Sequence, residues 1–282
     1  MIVSETHHIS GSDGKTILID VKYSNKKHPL PIIVFCHGFK GFKDWGHFNL
    51  IADFFAQNGY VFVKFNFSHN GTRVDSPESF TDLEAFSKNN FSKELFDTEK
   101  VVDFVCTSEF RDKYNADLSN LILMGHSRGG GIAILQASGD ERIKALITLS
   151  AIEAFGKYWS KEQMDKWKRE GVMYIKNART NQELPMDYQM YEDFYRNKDR
   201  LDIPKAAGKM NCPWLIVHAK DDSTIPFNAA ENMHKACEKS ELMLLDEGGH
   251  TFGGKHPWLE DELPAETKEI VGFSLDFLKK SL

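Results

Sequence analysis

The sequence lacks an apolar run long enough to cross a membrane, which would need roughly 18 consecutive apolar residues. Its beginning, Met1 to Gly14, is polar and lacks the apolar stretch of a signal peptide. It also lacks an excess of basic residues, because the formal net charge is -6. These absences argue against membrane insertion and against nucleic acid or an anionic membrane surface as the main partner. We therefore expect a cytoplasmic protein.

Cysteine is scarce as well. Four cysteines are widely scattered, each in or beside an apolar segment, and no CxxC pair occurs: Cys36, Cys106, Cys212 and Cys237. This pattern argues against a zinc knuckle and a redox motif, and we expect four reduced, structural thiols. Hydrophobic residues make up 41% of the 282 positions, enough for one α/β domain with a large core.

Short, nearly unbroken apolar runs recur along the chain, as expected of strands buried on both faces. They are Pro31–Cys36, Tyr60–Phe67, Leu121–Met124, Ala145–Leu149, Trp214–Val217 and Leu242–Leu245. Ahead of them, Thr6–Ile9 and Ile17–Tyr23 flank a glycine-rich turn and predict a hairpin. Amphipathic stretches predict helices at Phe48–Gln57, Ser92–Cys106, Gly130–Ala137, Asn228–Cys237 and Glu266–Leu278. This alternation predicts an α/β domain with a mostly parallel central sheet flanked by helices.

The alternation stops between about Ala151 and Gly208, where no buried-strand run appears. The interval is instead helix-like, charged and aromatic, and contains Tyr158, Trp159, Trp167, Tyr174, Tyr188, Tyr191, Phe194 and Tyr195. We predict a core over residues 1–150 and 209–282, with a helical lid insertion over 151–208 after strand 6. Its position after the carboxyl end of a strand favours a lid. The alternative is a structural insertion whose aromatic side chains pack inward.

The most informative motif is Gly125-His-Ser127-Arg-Gly129, which lies between a buried strand and a helix start rich in small residues. This is the context of a nucleophile elbow, in which a strained turn exposes a serine at the sheet edge. The flanking glycines are needed because the turn leaves no room for side chains there. We predict that Ser127 is a nucleophile.

A serine hydroxyl needs a base, and in such a fold an acid and then a histidine follow it in the chain. Among the later histidines, His250 lies in Glu247-Gly-Gly-His250, just after the last strand and before the final helix. The glycine pair lets its imidazole reach back toward Ser127. His256 is the weaker choice, and His234 lies in the middle of a predicted helix.

The acid is expected after the strand Trp214–Val217, where the loop offers both Asp221 and Asp222. Spacing alone does not choose between adjacent aspartates, and the other member is expected to be a solvated turn residue or a capping group. Glu247 is a third candidate.

The oxyanion of an acyl transfer needs backbone N–H donors, one after the nucleophile and one after an earlier strand. These positions are Arg128 and Phe39, the latter in the turn His37-Gly-Phe-Lys-Gly41. Glycine in this turn lets the backbone approach the substrate closely. We expect His37 itself to be structural.

Taken together, these residues resemble the α/β-hydrolase superfamily from about Pro31 to the C-terminus. The chain is most similar to bacterial carboxylesterases of the cinnamoyl (feruloyl) esterase type, and more distantly to serine aminopeptidase-like hydrolases. The matching motifs are His37-Gly-Phe39, Val63–Phe67 with Gly71, Gly125–Gly129 and Gly249-His-Thr-Phe252. The family's acid loop, His-Gly-x-x-Asp-x-x-Val-Pro, falls on His218 to Pro226 and selects Asp222 over Asp221.

The chain also departs from the family. Ala219 replaces the usual glycine of the acid loop, and Arg128 stands where such esterases often carry glutamine. The segment Thr72–Asn90 is longer and more acidic than the usual short turn, and the insertion matches no cap of known substrate.

The resemblance implies hydrolysis of carboxylic esters of small or aromatic acyl groups, with Ser127, Asp222 and His250 as catalytic residues. No metal or organic cofactor is expected, the partner is a small-molecule ester, and a homodimer is left open. An aminopeptidase or amidase would use the same three residues plus a carboxylate cluster, for which the insertion offers Glu153, Glu183, Asp187 and Glu192.

Two further functions stay open at this point. In an acyl thioesterase, Arg128 or lysines of the insertion would meet an acidic carrier. A non-catalytic binding protein on a hydrolase scaffold would keep the fold without the reaction. A metallohydrolase built from His37, His69 and His126 is disfavoured because their spacing is not that of metal ligands.

Overall fold

A computed structural model describes residues 1–157 and 159–282. In it, the predicted apolar runs form strands. Tyr158, one of the aromatic residues assigned to the insertion, lies outside the described residues. The strands are β1 (Ile2–Ser10), β2 (Thr16–Ser24), β3 (Leu30–Cys36), β4 (Val61–Asn66), β5 (Ala116–His126), β6 (Ile143–Leu149), β7 (Val172–Lys176), β8 (Glu183–Asp187), β9 (Trp214–Ala219) and β10 (Ser240–Leu245). The sequence therefore located every strand of the central sheet, although β5 begins five positions earlier than predicted.

The helices also follow the amphipathic pattern. They are α1 (Phe48–Gln57), α2 (Leu83–Ser87), α3 (Phe91–Val105), α4 (Ser108–Tyr114), α5 (Arg128–Gly139), α6 (Lys161–Glu170), α7 (Gln189–Arg196), α8 (Ile203–Ala207), α9 (Asn228–Ala236) and α10 (Ala265–Ser281). The short helices α2 and α4 were not predicted, because one or two turns carry too little periodicity to be recognised. Each begins at a side-chain cap, from Asp82 and Thr107 respectively.

One sheet organises the domain, with the strand order β1-β2-β4-β3-β5-β6-β9-β10. The first two pairings, β1 with β2 and β2 with β4, are antiparallel, and all pairings from β4 to β10 are parallel. Because strand residues alternate between faces, Ile32 and Val34 join one core while Ile33 and Phe35 join the other. Helices α1 and α10 cover the second core, and α3, α5 and α8 lie over the first. The expected mostly parallel sheet flanked by helices is confirmed.

The insertion differs from the helical prediction. It contains the helices α6, α7 and α8, but also the antiparallel hairpin of β7 and β8, which the prediction of a helical insertion did not include. The hairpin was missed because β7 and β8 are only five residues long, and β7 has no fully buried position. The aromatic residues of the insertion differ in burial: Trp167 is fully buried, whereas Tyr174 and Tyr195 are about 60% exposed.

The part of the chain that the structure describes contains no helix long and apolar enough to span a membrane.

Candidate active site

Ser127 lies in a strained turn between β5 and α5. Its φ of 55° and ψ of -122° are rare for a residue with a side chain, and such strain persists only where the surroundings enforce it. A Cβ on Gly125 would lie 2.5 Å from the Gly129 carbonyl oxygen. A Cβ on Gly129 would lie 2.3 Å from the carbonyl oxygens of Cys36 and His37. Both glycines are therefore required by backbone atoms that have no room to move.

The loops after β9 and β10 bring an acid and a base to this serine. The Ser127 Oγ lies 2.9 Å from His250 Nε2, and His250 Nδ1 lies 2.8 Å from Asp222 Oδ2. The other carboxylate oxygen, Asp222 Oδ1, accepts the backbone N–H groups of Thr224 and Ile225 at 2.8 and 2.9 Å. The structure thus brings together the three residues singled out from the sequence in one continuous chain of hydrogen bonds.

A second histidine, His218, shares the carboxylate of Asp222. Its Nε2 lies 3.3 Å from Asp222 Oδ2 and 2.9 Å from the Ile225 carbonyl oxygen. Because both neighbours are acceptors, this nitrogen carries the proton. Burial by itself would raise the pKa of Asp222, but the hydrogen bonds from His218 and His250 outweigh it and hold that pKa far below its ordinary value. The sequence placed His218 only at the start of the acid loop and assigned it no role; in the structure it lies within β9 and its ring is fully buried.

Asp221, the rival acid, has a different set of partners. Its carboxylate accepts the N–H groups of Gly249 at 2.8 Å and Gly248 at 3.3 Å, so it caps the loop that carries His250. The third candidate, Glu247, is exposed to solvent. The same loop is held from the other side by His126, whose Nε2 donates to the His250 carbonyl oxygen at 2.8 Å. Burial and the nearby His250 lower the pKa of His126 to about 3, so this ring stays neutral.

The remaining candidate histidines lie elsewhere. His256 Nδ1 accepts the N–H of Gly46 at 2.9 Å, and His234 bonds to the Ser240 hydroxyl at 2.7 Å. His37 and His69 each have local partners of their own, Gly38 O and Ser68 Oγ. Across residues 1–157 and 159–282, no group of three histidine, cysteine or acidic side chains is placed to hold a metal ion.

The turn after β3 presents its backbone to Ser127. A Cβ on Gly38 would lie 3.0 Å from the Ser127 Cβ, closer than ordinary van der Waals contact, so the backbone of this turn passes directly beside the nucleophile. The Gly38 carbonyl oxygen accepts His37 Nδ1–H at 2.8 Å and the N–H of Gly41 at 3.1 Å. In a trans peptide the N–H points away from the carbonyl, so these two bonds fix the direction of the Phe39 N–H. Burial lowers the pKa of His37 to about 4, which keeps it a neutral donor through Nδ1.

Two pockets open on either side of Ser127. The larger, about 440 Å³, is lined mainly by apolar and aromatic side chains, several of them from the insertion: Phe91, Ile152, Phe155, Trp159, Ile175, Met186 and Met190. The smaller, about 270 Å³, is more polar and lies between the turn after β3, the His250 loop and the tip of the β7–β8 hairpin. Ser127 and His250 line both, so a substrate can extend in two directions from the nucleophile.

Comparison with known proteins assigns the chain to a family. The sequence profile of the BD-FAE family, an esterase family of the α/β-hydrolase fold, matches residues 19–237. This chain belongs to the BD-FAE family. By family it is therefore a carboxylesterase-type hydrolase, and the resemblance seen in the sequence is confirmed.

Individual relatives of this BD-FAE protein are distant. A Mycoplasma genitalium protein named as an esterase/lipase is 32% identical over 120 residues, which cover 42% of this chain and 37% of that relative. The chain thus spans little more than a third of that protein. The structure of Est1E from Butyrivibrio proteoclasticus with ferulic acid has a TM-score of 0.72 at 18% identity, covering 98% of both chains. The α/β-hydrolase GrgF from a Penicillium species has a TM-score of 0.69 at 16% identity, covering 99% of both.

Within this BD-FAE protein, the side chain of Arg128 turns inward. Its guanidinium stacks 3.8 Å from the centroid of the Phe39 ring and lies 3.7 Å from Glu94 Oε1. Burial lowers the pKa of Arg128 and raises that of Glu94, although each charge partly offsets the effect on the other. Asn89 donates to Glu94 Oε1 at 2.7 Å. The stacking ties together the two residues whose N–H groups were predicted to hold the oxyanion, an arrangement that the sequence did not reveal.

The four carboxylates of the insertion do not converge on the serine. Glu153 binds Lys157 and Asn232, Asp187 accepts from Ser87, and Glu192 pairs with Arg196. Glu183 is exposed at the start of β8. None of the four is among the described residues that line the two pockets.

The insertion is anchored to the segment before α3. Gln182 donates to the Phe80 carbonyl oxygen and Gln189 to the Asn89 carbonyl oxygen, both at 2.8 Å. Further along, Ser87 donates to Asp187 and the N–H of Ser92 to Asp193, both at 3.2 Å. The long segment Thr72–Asn90 is thus the surface on which the insertion rests.

Proposed function

We propose that this protein hydrolyses carboxylic esters of small or aromatic acyl groups through an acyl-enzyme on Ser127. The observation that carries the proposal is the hydrogen-bonded chain from Ser127 through His250 to Asp222, held at the carboxyl edge of a parallel sheet. The BD-FAE family assignment supports the same reaction class.

In the first step, His250 Nε2 takes the Ser127 proton as the hydroxyl oxygen attacks the ester carbonyl carbon. The carbonyl oxygen becomes an oxyanion, which the N–H groups of Phe39 and Arg128 hold. Collapse of this intermediate breaks the bond to the alcohol oxygen. His250 returns its proton to that oxygen, and the alcohol leaves.

In the second step, water repeats the sequence on the acyl-enzyme. His250 takes one proton of the water, the hydroxide attacks the acyl carbon, and the Ser127 oxygen leaves with the proton from His250. Asp222 stays ionised throughout, because its pKa is held far below neutrality, and its charge stabilises the imidazolium formed in each step.

The larger pocket suits an apolar or aromatic acyl group. Its walls include Phe91, Phe155 and Trp159, and aromatic faces favour flat acyl groups through stacking. Because Phe155 and Trp159 belong to the insertion, we propose that residues 151–208 act as a lid that completes the site.

Replacement of Ser127 by alanine tests the mechanism. We expect Ser127→Ala to abolish turnover of p-nitrophenyl butyrate and labelling by a fluorophosphonate probe. Ser138→Ala, on the helix α5 that follows Ser127 but outside both pockets, should retain both the turnover and the labelling. Esterase turnover by a folded Ser127→Ala variant equal to that of the parent would refute the proposal, and absence of labelling in the parent would favour a non-catalytic binding protein.

An amidase and a thioesterase would use the same three residues. Matched butyryl esters, anilides and thioesters of one acyl group separate these activities by their kcat/KM values. The four carboxylates considered for an aminopeptidase line neither pocket, so we expect the ester to be preferred over aminoacyl anilides.

A further inference from the structure

The smaller pocket beside Ser127 is positively charged. Lys40 and Arg179 both line it, from the turn after β3 and from the tip of the β7–β8 hairpin. Among the described residues that line this pocket, none is an aspartate or a glutamate. An acid-free pocket beside the nucleophile is unexpected in a chain whose formal net charge is -6.

Neither cation is neutralised by the protein. Within the described part of the chain, no carboxylate lies within salt-bridge distance of Lys40 or Arg179. By contrast, the neighbouring Lys43 pairs with Asp20 and Asp44. The two charges facing the pocket therefore remain free to bind a ligand.

The backbone of Lys40 points to the same conclusion. Its φ of 55° lies in the left-handed region, which costs a residue with a side chain on the order of 1 kcal/mol. The residue directly follows Phe39 and lines both pockets, so this turn places a cation next to the position of the reacting carbonyl. Burial lowers the pKa of Lys40, and an anion bound beside it would reverse that effect.

We propose that the substrate is an ester with an anionic group, a carboxylate or a phosphate, which binds between Lys40 and Arg179 while its apolar part occupies the larger pocket. This inference rests on the proposed ester hydrolysis at Ser127. The anion contact in the smaller pocket and the apolar contact in the larger pocket would lie on opposite sides of the scissile bond and hold the carbonyl at the nucleophile. Binding energy away from the reacting atoms would thus accelerate the reaction by positioning them. Because Arg179 belongs to the insertion, the anion would also draw the hairpin tip toward the site.

Matched esters test the charge preference. In one arm the charge is on the alcohol: butyryl esters of glycolate and of 2-hydroxyethyl phosphate are compared with the butyryl ester of neutral glycolamide. In the other arm it is on the acyl group: p-nitrophenyl hydrogen glutarate is compared with p-nitrophenyl pentanoate. Turnover is followed by pH-stat in the first arm and by nitrophenolate release in the second. We expect at least one anionic ester to exceed its neutral partner in kcat/KM by roughly tenfold or more.

The cations are then removed one at a time. Lys40→Met and Arg179→Met should each lower the ratio of anionic to neutral kcat/KM by roughly tenfold, since each removes a charge-assisted contact. Lys40→Arg should keep most of the ratio. Lys168→Met is the matched control, because Lys168 lies on α6 and lines a separate groove of the insertion. Its ratio should equal that of the parent.

Ionic strength gives a test that needs no variant. Screening should reduce the preference of the parent enzyme as salt rises from about 0.01 to 0.5 M, while the neutral esters are affected less. Ratios near one for every pair, with the neutral esters still hydrolysed, would overturn the anion site and leave the proposed function intact. A preference that survives in both methionine variants would also overturn it. Absence of turnover for all esters, together with absence of probe labelling, would instead refute the proposed function.

Discussion

The choice of Asp222 over Asp221 as the catalytic acid can be tested by replacing one carboxylate oxygen of Asp222 with an NH₂ group. In Asp222→Asn the side chain keeps its shape but has one acceptor oxygen in place of two. At present Oδ1 accepts two backbone N–H groups, while Oδ2 accepts Nδ1–H of His250 and faces Nε2–H of His218. If the amide oxygen stays on the backbone donors, the NH₂ group is directed at His250 Nδ1.

This reversal would switch the tautomer of His250. An NH₂ donor requires Nδ1 to be an acceptor, so the ring proton moves to Nε2, 2.9 Å from the Ser127 oxygen. A protonated Nε2 in a neutral ring cannot accept the serine proton. In another enzyme with this arrangement the same change lowers kcat about 10⁴-fold. We therefore expect a loss of about 10³ to 10⁴ in kcat, equivalent to about 4–5 kcal/mol of transition-state stabilisation.

Asp221→Asn is the matched control. Its remaining oxygen can still accept the Gly249 N–H, so we expect kcat to fall by less than roughly tenfold. The assay is kcat for p-nitrophenyl butyrate at saturating substrate, with urea unfolding of each variant to show that it is folded. Equal losses in the two variants, or near-parental kcat in folded Asp222→Asn, would refute the assignment.

Three further predictions concern stability and the insertion. Gly129→Ala should lower the free energy of unfolding by about 1–3 kcal/mol in urea melts, because its Cβ would meet two backbone carbonyls. In the control Gly139→Ala the added Cβ would meet nothing within 4 Å, so this variant should be as stable as the parent or more stable. Buried His47 has a pKa lowered by desolvation from 6.5 to about 4, so the unfolded state binds its proton first and stability should fall as pH drops from 6.5 towards 4. His47→Gln should flatten this decline by about 1–2 kcal/mol between pH 7 and 5 in urea melts, and an unchanged slope would contradict the argument. Gln189→Ala loses the hydrogen bonds to Asn89 and Asn90. It should therefore speed proteolysis within residues 151–208 and raise the KM for aromatic acyl esters. The control Gln136→Ala on α5 should change neither the proteolysis nor the KM.

Much of the central sheet could be predicted from the sequence because strands such as β3 and β4 are buried on both faces. A strand such as β3 must be apolar at nearly every position, and its short length distinguishes the run from a buried helix. The nucleophile elbow was equally visible, because its glycine and serine motif directly follows a buried strand in the sequence. The carbonyls that require Gly129 belong to Cys36 and His37, far from it in the chain. The presence of these strands and the position of Ser127 follow from such patterns along the chain, whereas the order of the strands within the sheet was not predicted.

The choice between the two aspartates shows where local information ends. Adjacent residues on one loop differ only in the direction of their side chains, and that direction depends on Thr224, Ile225 and the glycines before His250. Family resemblance selected Asp222, although residue types and spacing did not. The contribution of His218 was hidden for a related reason, because its ring is buried like that of a core residue and its partner lies four positions further along.

Arg128 shows the same limit for charge. The sequence suggested that Arg128 places a positive charge near the site, where it would meet the acidic carrier of a thioesterase substrate. In the fold its guanidinium packs against Phe39 and Glu94, which lie far from it in the chain. The charge that faces the smaller pocket comes instead from Lys40 and Arg179, neither of which the sequence singled out.

Two of the departures from the esterase pattern form one structural feature. From the sequence, the long segment Thr72–Asn90 and the insertion at residues 151–208 were separate anomalies. The hydrogen bonds from Gln182 and Gln189 to backbone oxygens of residues 80 and 89 join them. Since the insertion supplies walls to both pockets, a change in the length of Thr72–Asn90 would move those walls relative to Ser127. The segment thus bears on substrate choice even though it lines neither pocket, and substrate specificity here has to be read from both segments together.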